Sequence, residues 1–133
     1  MEMTEAIRTF LEEIRFGVAA TINRDGSPQQ TVVWYLLRGD EIIMNTARGR
    51  LKELNLRRDP RMSLCVEDGY RYVTIRGRAA LDENPVTTQQ DIQAIVARYE
   101  GTERALEMMR RQFSKEERVS IRLKIEKISD YGF

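Results

Sequence analysis

Apolar residues recur along this chain at two spacings, and each change of spacing marks a new element. Ile7, Phe10, Leu11 and Ile14 stand at i, i+3, i+4, i+7, which predicts an opening amphipathic helix. From Phe16 the period is two, with Phe16, Val18, Ala20 and Ile22 on one face of a strand that ends at the turn Arg24-Asp25-Gly26-Ser27. The next strand, PQQTVVWYLL from Pro28, is apolar on both faces between Val32 and Leu37. A one-sided strand would alternate, so this one is expected to have core on one side and a partner or ligand on the other. Arg38-Gly39-Asp40 turns the chain into a third strand, EIIMNTA.

A short helix follows, from about Gly49 to Arg57, with Leu51 and Leu54 expected on its buried side and Asp59-Pro60 as its stop. Met62, Leu64 and Val66 alternate in a fourth strand, and Asp68-Gly69 makes another hairpin turn. In the fifth strand Val73, Ile75, Gly77, Ala79 and Leu81 oppose Tyr72, Thr74, Arg76 and Arg78. Asn84-Pro85 opens a helix through Ile92, Ile95, Val96 and Tyr99 that Gly101 ends. A further helical piece carries Leu106, Met109 and Phe113, residues 114–117 read as a capping box or a polar loop, and the last strand alternates from Val119 to Ile125. The reading is mainly β: a six-stranded antiparallel barrel with flanking helices. Its hairpin turns are too short for the crossovers a parallel sheet needs.

The 133 residues are expected to form a single domain, residues 1–133. Formal net charge is +1, which argues against a general nucleic-acid or membrane surface, and no apolar run reaches membrane-spanning length. The acidic, amphipathic N-terminus is unlike a signal peptide, and the lone Cys65 suits a reducing cytoplasm. Histidine is absent, which removes Ser-His-Asp and Cys-His catalysis, histidine-held haem and the usual zinc sites. No metal site is expected.

Charge is uneven along the chain. Between Thr46 and Arg61, Arg48, Arg50, Lys52, Arg57, Arg58 and Arg61 face only Glu53 and Asp59, a local balance of +4 that leaves −3 for the rest. This block follows a strand and opens a helix, where unpaired N–H groups and the helix dipole favour an anion. Thr46 adds a hydroxyl, Arg50 a fork and Lys52 a point charge, a set suited to phosphate. A solvated basic face is the competing reading, and the glycines of a Walker loop or a dinucleotide fingerprint are missing.

The block T-x-R-x-R-x-K-x-x-N-L-x-R-D-P, with Gly26-x-Pro28, TVVW and the G-Y-R-Y-V-T-I-R-G strand, resembles the flavin-binding split-barrel family of pyridoxamine-phosphate-oxidase-like proteins. Within it the chain is most similar to short members that use the deazaflavin coenzyme F420. The resemblance runs from about Phe10 to Leu81 and resumes weakly through Tyr131-Gly132. It implies that Thr46, Ala47, Arg50, Leu51 and Lys52 grip the cofactor phosphate. The strand from Gln29 through Thr31 to Val33 would meet the edge of the flavin ring. Tyr70, Arg71, Tyr72 and Val73 would close over the cofactor from a second subunit, so a homodimer is implied, and Trp34 is expected in the core or the dimer interface. The implied activity is hydride transfer from reduced F420 to an unsaturated small-molecule acceptor, with FMN as the alternative cofactor and a binding protein without turnover as a third reading. The basic, Trp- and Pro-containing tail of full pyridoxamine phosphate oxidases is missing here, which argues against vitamin B6 oxidation. No side chain stands out as a catalytic acid or base.

Overall fold

The computed structural model describes residues 3–133. Helix α1 (Glu5–Glu12) begins at Thr4, whose hydroxyl accepts from the Ile7 N–H, and buries Ile7, Phe10 and Leu11. Seven strands follow: β1 (Gly17–Ile22), β2 (Pro28–Val33), β3 (Leu36–Arg38), β4 (Glu41–Ala47), β5 (Arg61–Glu67), β6 (Tyr72–Asp82) and β7 (Arg118–Tyr131). Helix α2 (Leu51–Arg58) joins β4 to β5, while α3 (Pro85–Glu100) and α4 (Thr102–Arg111) lie between β6 and β7. A 3-10 turn at Phe113–Lys115 leads into the last strand.

The strands form one antiparallel sheet in the order β2-β1-β5-β6-β7-β4-β3. Its two edges, β2 and β3, are consecutive in the chain and separated only by Trp34 and Tyr35. Trans-linked residues span at most about 3.3–3.6 Å each, so the end of one edge lies within roughly 10 Å of the start of the other. The sheet therefore curls nearly into a barrel, with no ladder joining β2 to β3. Its interior is filled by Leu64, Val66, Val73, Ile75, Ile121 and Leu123 with α1 packed alongside. A bulge at Arg76/Gly77 lets β6 and β7 cross closely, and a Cβ on Gly77 would collide with the Lys124 carbonyl oxygen.

Several expectations are corrected. The predicted second strand is two strands, making seven rather than six. Tyr35 leaves the ladder there: its N–H donates to the Tyr99 hydroxyl (3.2 Å), and its own hydroxyl donates to the Leu11 carbonyl (2.8 Å). The doubly apolar run thus holds Val33 and Tyr35 in this chain's own core, Trp34 stacked on Tyr99 at 4.9 Å, and only Val32, 67% exposed, facing outward.

In β1 the buried positions are Gly17, Ala19 and Thr21, while Phe16 and Val18 are exposed. The core side is held by small residues because Leu64 fills the space; a Cβ on Gly17 would stand 2.6 Å from the Leu64 Cδ1. In α2, Leu51 and Leu54 are exposed and the buried residues are Glu53, Asn55 and Leu56. β5 and β6 alternate as read, Asn84 caps α3 through the Val86 and Thr87 N–H groups, and Gly101 ends it. β7 alternates only from Ile121, because Ser120 is buried like Val119 and bonds to Asp91 of α3; Ile14 lies exposed beyond the end of α1, and Leu106 is exposed on α4. No described helix is long and apolar enough to cross a membrane.

Candidate functional site

The basic block divides by what each side chain does. Arg48 pairs with Glu83 and with Glu117 (2.9 Å), and Arg57 pairs with Glu53 and with Glu83 (3.0 Å). Arg58 donates to the Ile22 carbonyl and to Asn55, and Arg61 pairs with Asp59 (2.7 Å), which holds the Asp59 carboxyl down to about 2. Buried Asn55 donates to Thr21 (3.1 Å) and Asn23 (3.0 Å), anchoring α2 on β1. Glu53 accepts the Gly49 N–H (2.8 Å) and Arg57, which shapes the turn ahead of the helix. Burial pushes the Glu53 carboxyl up, but these hydrogen bonds outweigh it and hold it below its ordinary value. Four arginines of the block are thereby committed to the fold.

Arg50 and Lys52 are not. Among the described residues neither makes a side-chain hydrogen bond or ion pair. Arg50 is the N-cap residue of α2 without a side-chain cap, and the first intrahelical bond runs from the Leu54 N–H to the Arg50 carbonyl (3.1 Å). The amides of Leu51, Lys52 and Glu53 precede it and carry the positive end of the helix.

These groups face a groove between α2, β2 and β4. One arm, about 420 Å³, is lined by Gln29, Thr31, Thr46, Arg50, Leu51 and Lys52, with Val32 at its edge. A second arm of about 330 Å³ shares Val32, Thr46, Arg50 and Lys52, and runs on to Val33, Trp34, Ile92, Phe113 and Arg118. The shared cations thus stand in the middle of the groove. No carboxylate lines either arm. Burial, and then the charge of Arg50, push the Lys52 amine below its ordinary range; burial also lowers the Arg118 guanidinium, with Arg50 adding to it against the pull of Glu116. The Thr31 hydroxyl, at this groove, is buried with no hydrogen-bond partner. An acceptor-rich ligand with negative charge matches both facts: it relieves the repulsion among the cations and pairs the orphaned hydroxyl. A phosphate-bearing cofactor therefore fits the residues present.

Of the residues read from sequence, Gln29, Thr31, Val33, Thr46, Arg50, Leu51 and Lys52 line this groove. Ala47 closes β4 beside it without lining it. The hairpin residues are elsewhere. Tyr70 is 87% exposed, and Arg71 pairs with Asp68 (2.8 Å) with its guanidinium over the Phe10 ring. Tyr72 stacks on Tyr131 with centroids 5.7 Å apart, and the Val73 side chain is fully buried in the core. None of these four lines the groove of its own chain. Arg118, Trp34 and Phe113 were not read as site residues. Arg118 reaches the site because β7 pairs with β4 in a register that sets it opposite Ala47, a long-range contact that no local spacing signals. Among the described residues no group of three or more His, Cys, Asp or Glu could hold a metal.

The curled antiparallel sheet with its flanking helices is consistent with a split barrel, and the cation-lined, acid-free groove lies beside α2. Residues 3–132 match the pyridoxamine 5'-phosphate oxidase family, and the chain belongs to it. The pyridoxamine-phosphate-oxidase-like family includes flavin- and deazaflavin-binding proteins. A conserved hypothetical protein from Mycobacterium tuberculosis is 33% identical, with TM-score 0.84 over 98% of this chain and 86% of that one. An F420 reductase is 23% identical, with TM-score 0.77 over 96% of this chain and 98% of that one. A heme binding protein from Mycobacterium smegmatis is 18% identical, with TM-score 0.72 over 99% of this chain and 55% of that one. The last two are similar in fold.

Proposed function

We propose that the chain is an oxidoreductase that binds reduced coenzyme F420 and passes its hydride to an unsaturated organic acceptor. The observation that carries this reading is the position of the clamp. Thr46, Arg50 and Lys52 lie where the two arms of the groove meet, and no carboxylate lines either arm. FMN ends at its phosphate and needs one arm. In F420 the phosphate is internal, with the ring on one side and a lactyl-glutamate extension on the other, so both arms have a use. The F420 reductase of like fold is consistent with this choice.

When bound, the reduced coenzyme supplies the hydride; the protein supplies position and dryness. Thr46, Arg50 and Lys52 fix the phosphate, the Thr31 hydroxyl gains a partner, and Val32 and Leu51 keep water from that arm. No acid lines the groove, so the proton comes from solvent to an acceptor that is already electrophilic, such as a quinone, an enone or a tetrapyrrole.

The assembly is a homodimer in the cytoplasm. Val18 and Val32 pair across β1 and β2 on the outer face, where both are exposed, and Tyr70 projects from its hairpin to reach a second copy. Val32→Asp is expected to give a folded monomer in light scattering, whereas Val33→Asp, placed in the core, is expected to unfold the chain. A wild-type monomer at cofactor-binding concentrations removes the dimer.

Expression in a host without F420, followed by titration with each cofactor, tests the choice. A colourless protein that binds F420 and consumes it against an acceptor panel is expected. A yellow protein that turns over with FMN and does not bind F420 assigns the site to FMN. Binding without turnover on any acceptor makes the chain a carrier.

A further inference from the structure

Arg118 is the most buried cation of the groove, its side chain 5% exposed, and it is held from several directions. Its Nε donates to Asn45 Oδ1 (2.8 Å), its Nη1 donates to Glu116 Oε1 (2.8 Å), and its guanidinium lies 4.9 Å from the centre of the Phe113 ring. Glu116 does not line the groove. Nη2 makes no hydrogen bond among the described residues and is not among the buried unpartnered atoms. One donor edge of the fork is thus left free.

Behind Arg118 runs a line of buried polar groups. Asn45 Nδ2 donates to Ser120 Oγ (3.2 Å) and to the Thr88 carbonyl (3.0 Å). Ser120 Oγ donates to Asp91 Oδ2 (2.7 Å), and Arg38 Nη1 donates to Asp91 Oδ1 (3.0 Å). With its hydroxyl proton committed to Asp91, Ser120 can only accept from Asn45. That fixes the Asn45 amide with its nitrogen toward Ser120 and its oxygen toward Arg118. Reversing the amide would set two donors against each other. Asp91, acting through Ser120, and the Thr88 carbonyl together fix the Asn45 amide whose oxygen holds Arg118.

We propose that Arg118 anchors a second anionic group of the ligand, a carboxylate beyond the phosphate, and that Asn45, Ser120 and Asp91 are positioning residues that aim it. This rests on the F420 reading. The first anion is taken by Arg50 and Lys52 at the junction of the arms; with the ring set against Gln29 and Thr31 in the first arm, Arg118 stands in the other, which FMN would leave empty. Glu116 takes one edge of the Arg118 guanidinium from outside the groove, and no carboxylate lines the arm on the side it shares with Arg50, so the free edge is open to an anionic group of the ligand. A purely structural role, docking α3 onto β4 and β7, makes no distinction between ligands with and without that second anion.

The experiment titrates the full chain with glutamylated F420 and with a shortened deazaflavin that ends at its ribityl 5'-phosphate and so carries no carboxylate beyond it, following coenzyme fluorescence, with thermal melts as the check on folding. Arg118→Gln is expected to weaken glutamylated F420 about ten- to a hundredfold and the shortened form less than about threefold. Ser120→Ala cuts the line at its centre with little change in volume and leaves Arg118 in place. It is expected to weaken only the glutamylated form, about three- to tenfold, and to add nothing in the Arg118→Gln background. Arg118→Lys is not expected to restore binding, because one ammonium cannot serve Asn45 and a carboxylate in the same fork geometry. Equal losses for both ligands, or a Ser120→Ala effect that persists without Arg118, overturn the proposal while F420 binding stands. A wild type that binds neither form overturns the F420 reading and this inference together. If Arg118→Gln does not fold, Ser120→Ala against the two ligands decides the matter.

Discussion

Two hollows on this molecule display cations in different electrostatic settings. The groove beside α2 has Arg50, Lys52 and Arg118 on its walls and no acid. The other, about 380 Å³, sits on the outer sheet face between β1, β5 and β6, and also displays cations: Arg61, Arg76, Arg78 and Lys127. There Arg61 is spent on Asp59 and Arg78 on Glu126 (3.2 Å). No buried hydroxyl is orphaned in that hollow. Counting positive residues would rank the outer hollow first. What separates the two is that the groove sets the unpaired Arg50 and Lys52 beside the orphaned Thr31 hydroxyl with no acid on its walls, whereas the outer hollow carries Glu126 and spends Arg61 and Arg78 on acids; an exposed paired arginine has little left to offer a ligand.

The largest expected effect breaks or keeps that distinction directly. Arg50→Ala and Lys52→Ala should each weaken cofactor binding about ten- to a hundredfold, at roughly 1.5–3 kcal/mol per charge-assisted bond, and the double variant should lose more than either. Arg61→Ala and Arg78→Ala should leave the affinity within about twofold. Fluorescence titration reads both, and equal behaviour of the two sets would remove the groove from the site.

The committed charges should register in stability instead. Glu53→Gln removes the acceptor that Arg57 and the Gly49 N–H share, and should cost about 2–3 kcal/mol in urea unfolding. Because the folded state holds the Glu53 carboxyl below its ordinary 4.5, the unfolded chain takes up the proton first. Its contribution is therefore whole above that value and is lost as pH falls through the folded one. The acid limb of the variant's stability curve should be correspondingly flatter.

A smaller effect concerns Lys52 alone. Burial and Arg50 lower its amine, so it gives up its proton at a lower pH than an exposed lysine, and cofactor affinity should begin to fall there. Lys52→Arg should bind with a flat profile over the same range. Identical profiles would show that Lys52 does not contact the anion. The smallest effect is expected at Tyr70. Being almost wholly exposed in its own chain, Tyr70→Ala should leave the melt within about 0.5 kcal/mol while lowering cofactor affinity and acceptor use across the dimer. A loss confined to stability would place it outside the site.

How much could be read without the structure varies by element for physical reasons. β6 alternates, and β7 does so from Ile121 to Ile125, because one side of each meets the core, and Asn84 and Gly101 mark the ends of α3 through hydrogen bonding and backbone shape that belong to those residues. Thr46, Arg50 and Lys52 were legible because they lie close in sequence on one strand-to-helix turn. β1 misled because its outer face is the more apolar one; on the inner face Leu64 occupies the space that a side chain at position 17 would need. α2 misled because its inner face is Glu53 and Asn55, polar residues buried at full hydrogen-bonding cost and full return. Arg118 was illegible because its place depends on β4 and β7 finding register across most of the chain.

The break at Trp34 and Tyr35 gives the barrel a seam, and a hoop with a single seam opens there first. The strand ladder offers nothing to bridge it. The closure is made from outside by Tyr99 of α3, whose hydroxyl takes the Tyr35 N–H, donates to the Arg15 carbonyl (2.6 Å), and whose ring lies flat on Trp34. The helical insertion between β6 and β7 is thus the rivet of the hoop, and the second arm of the groove runs along the join it holds shut.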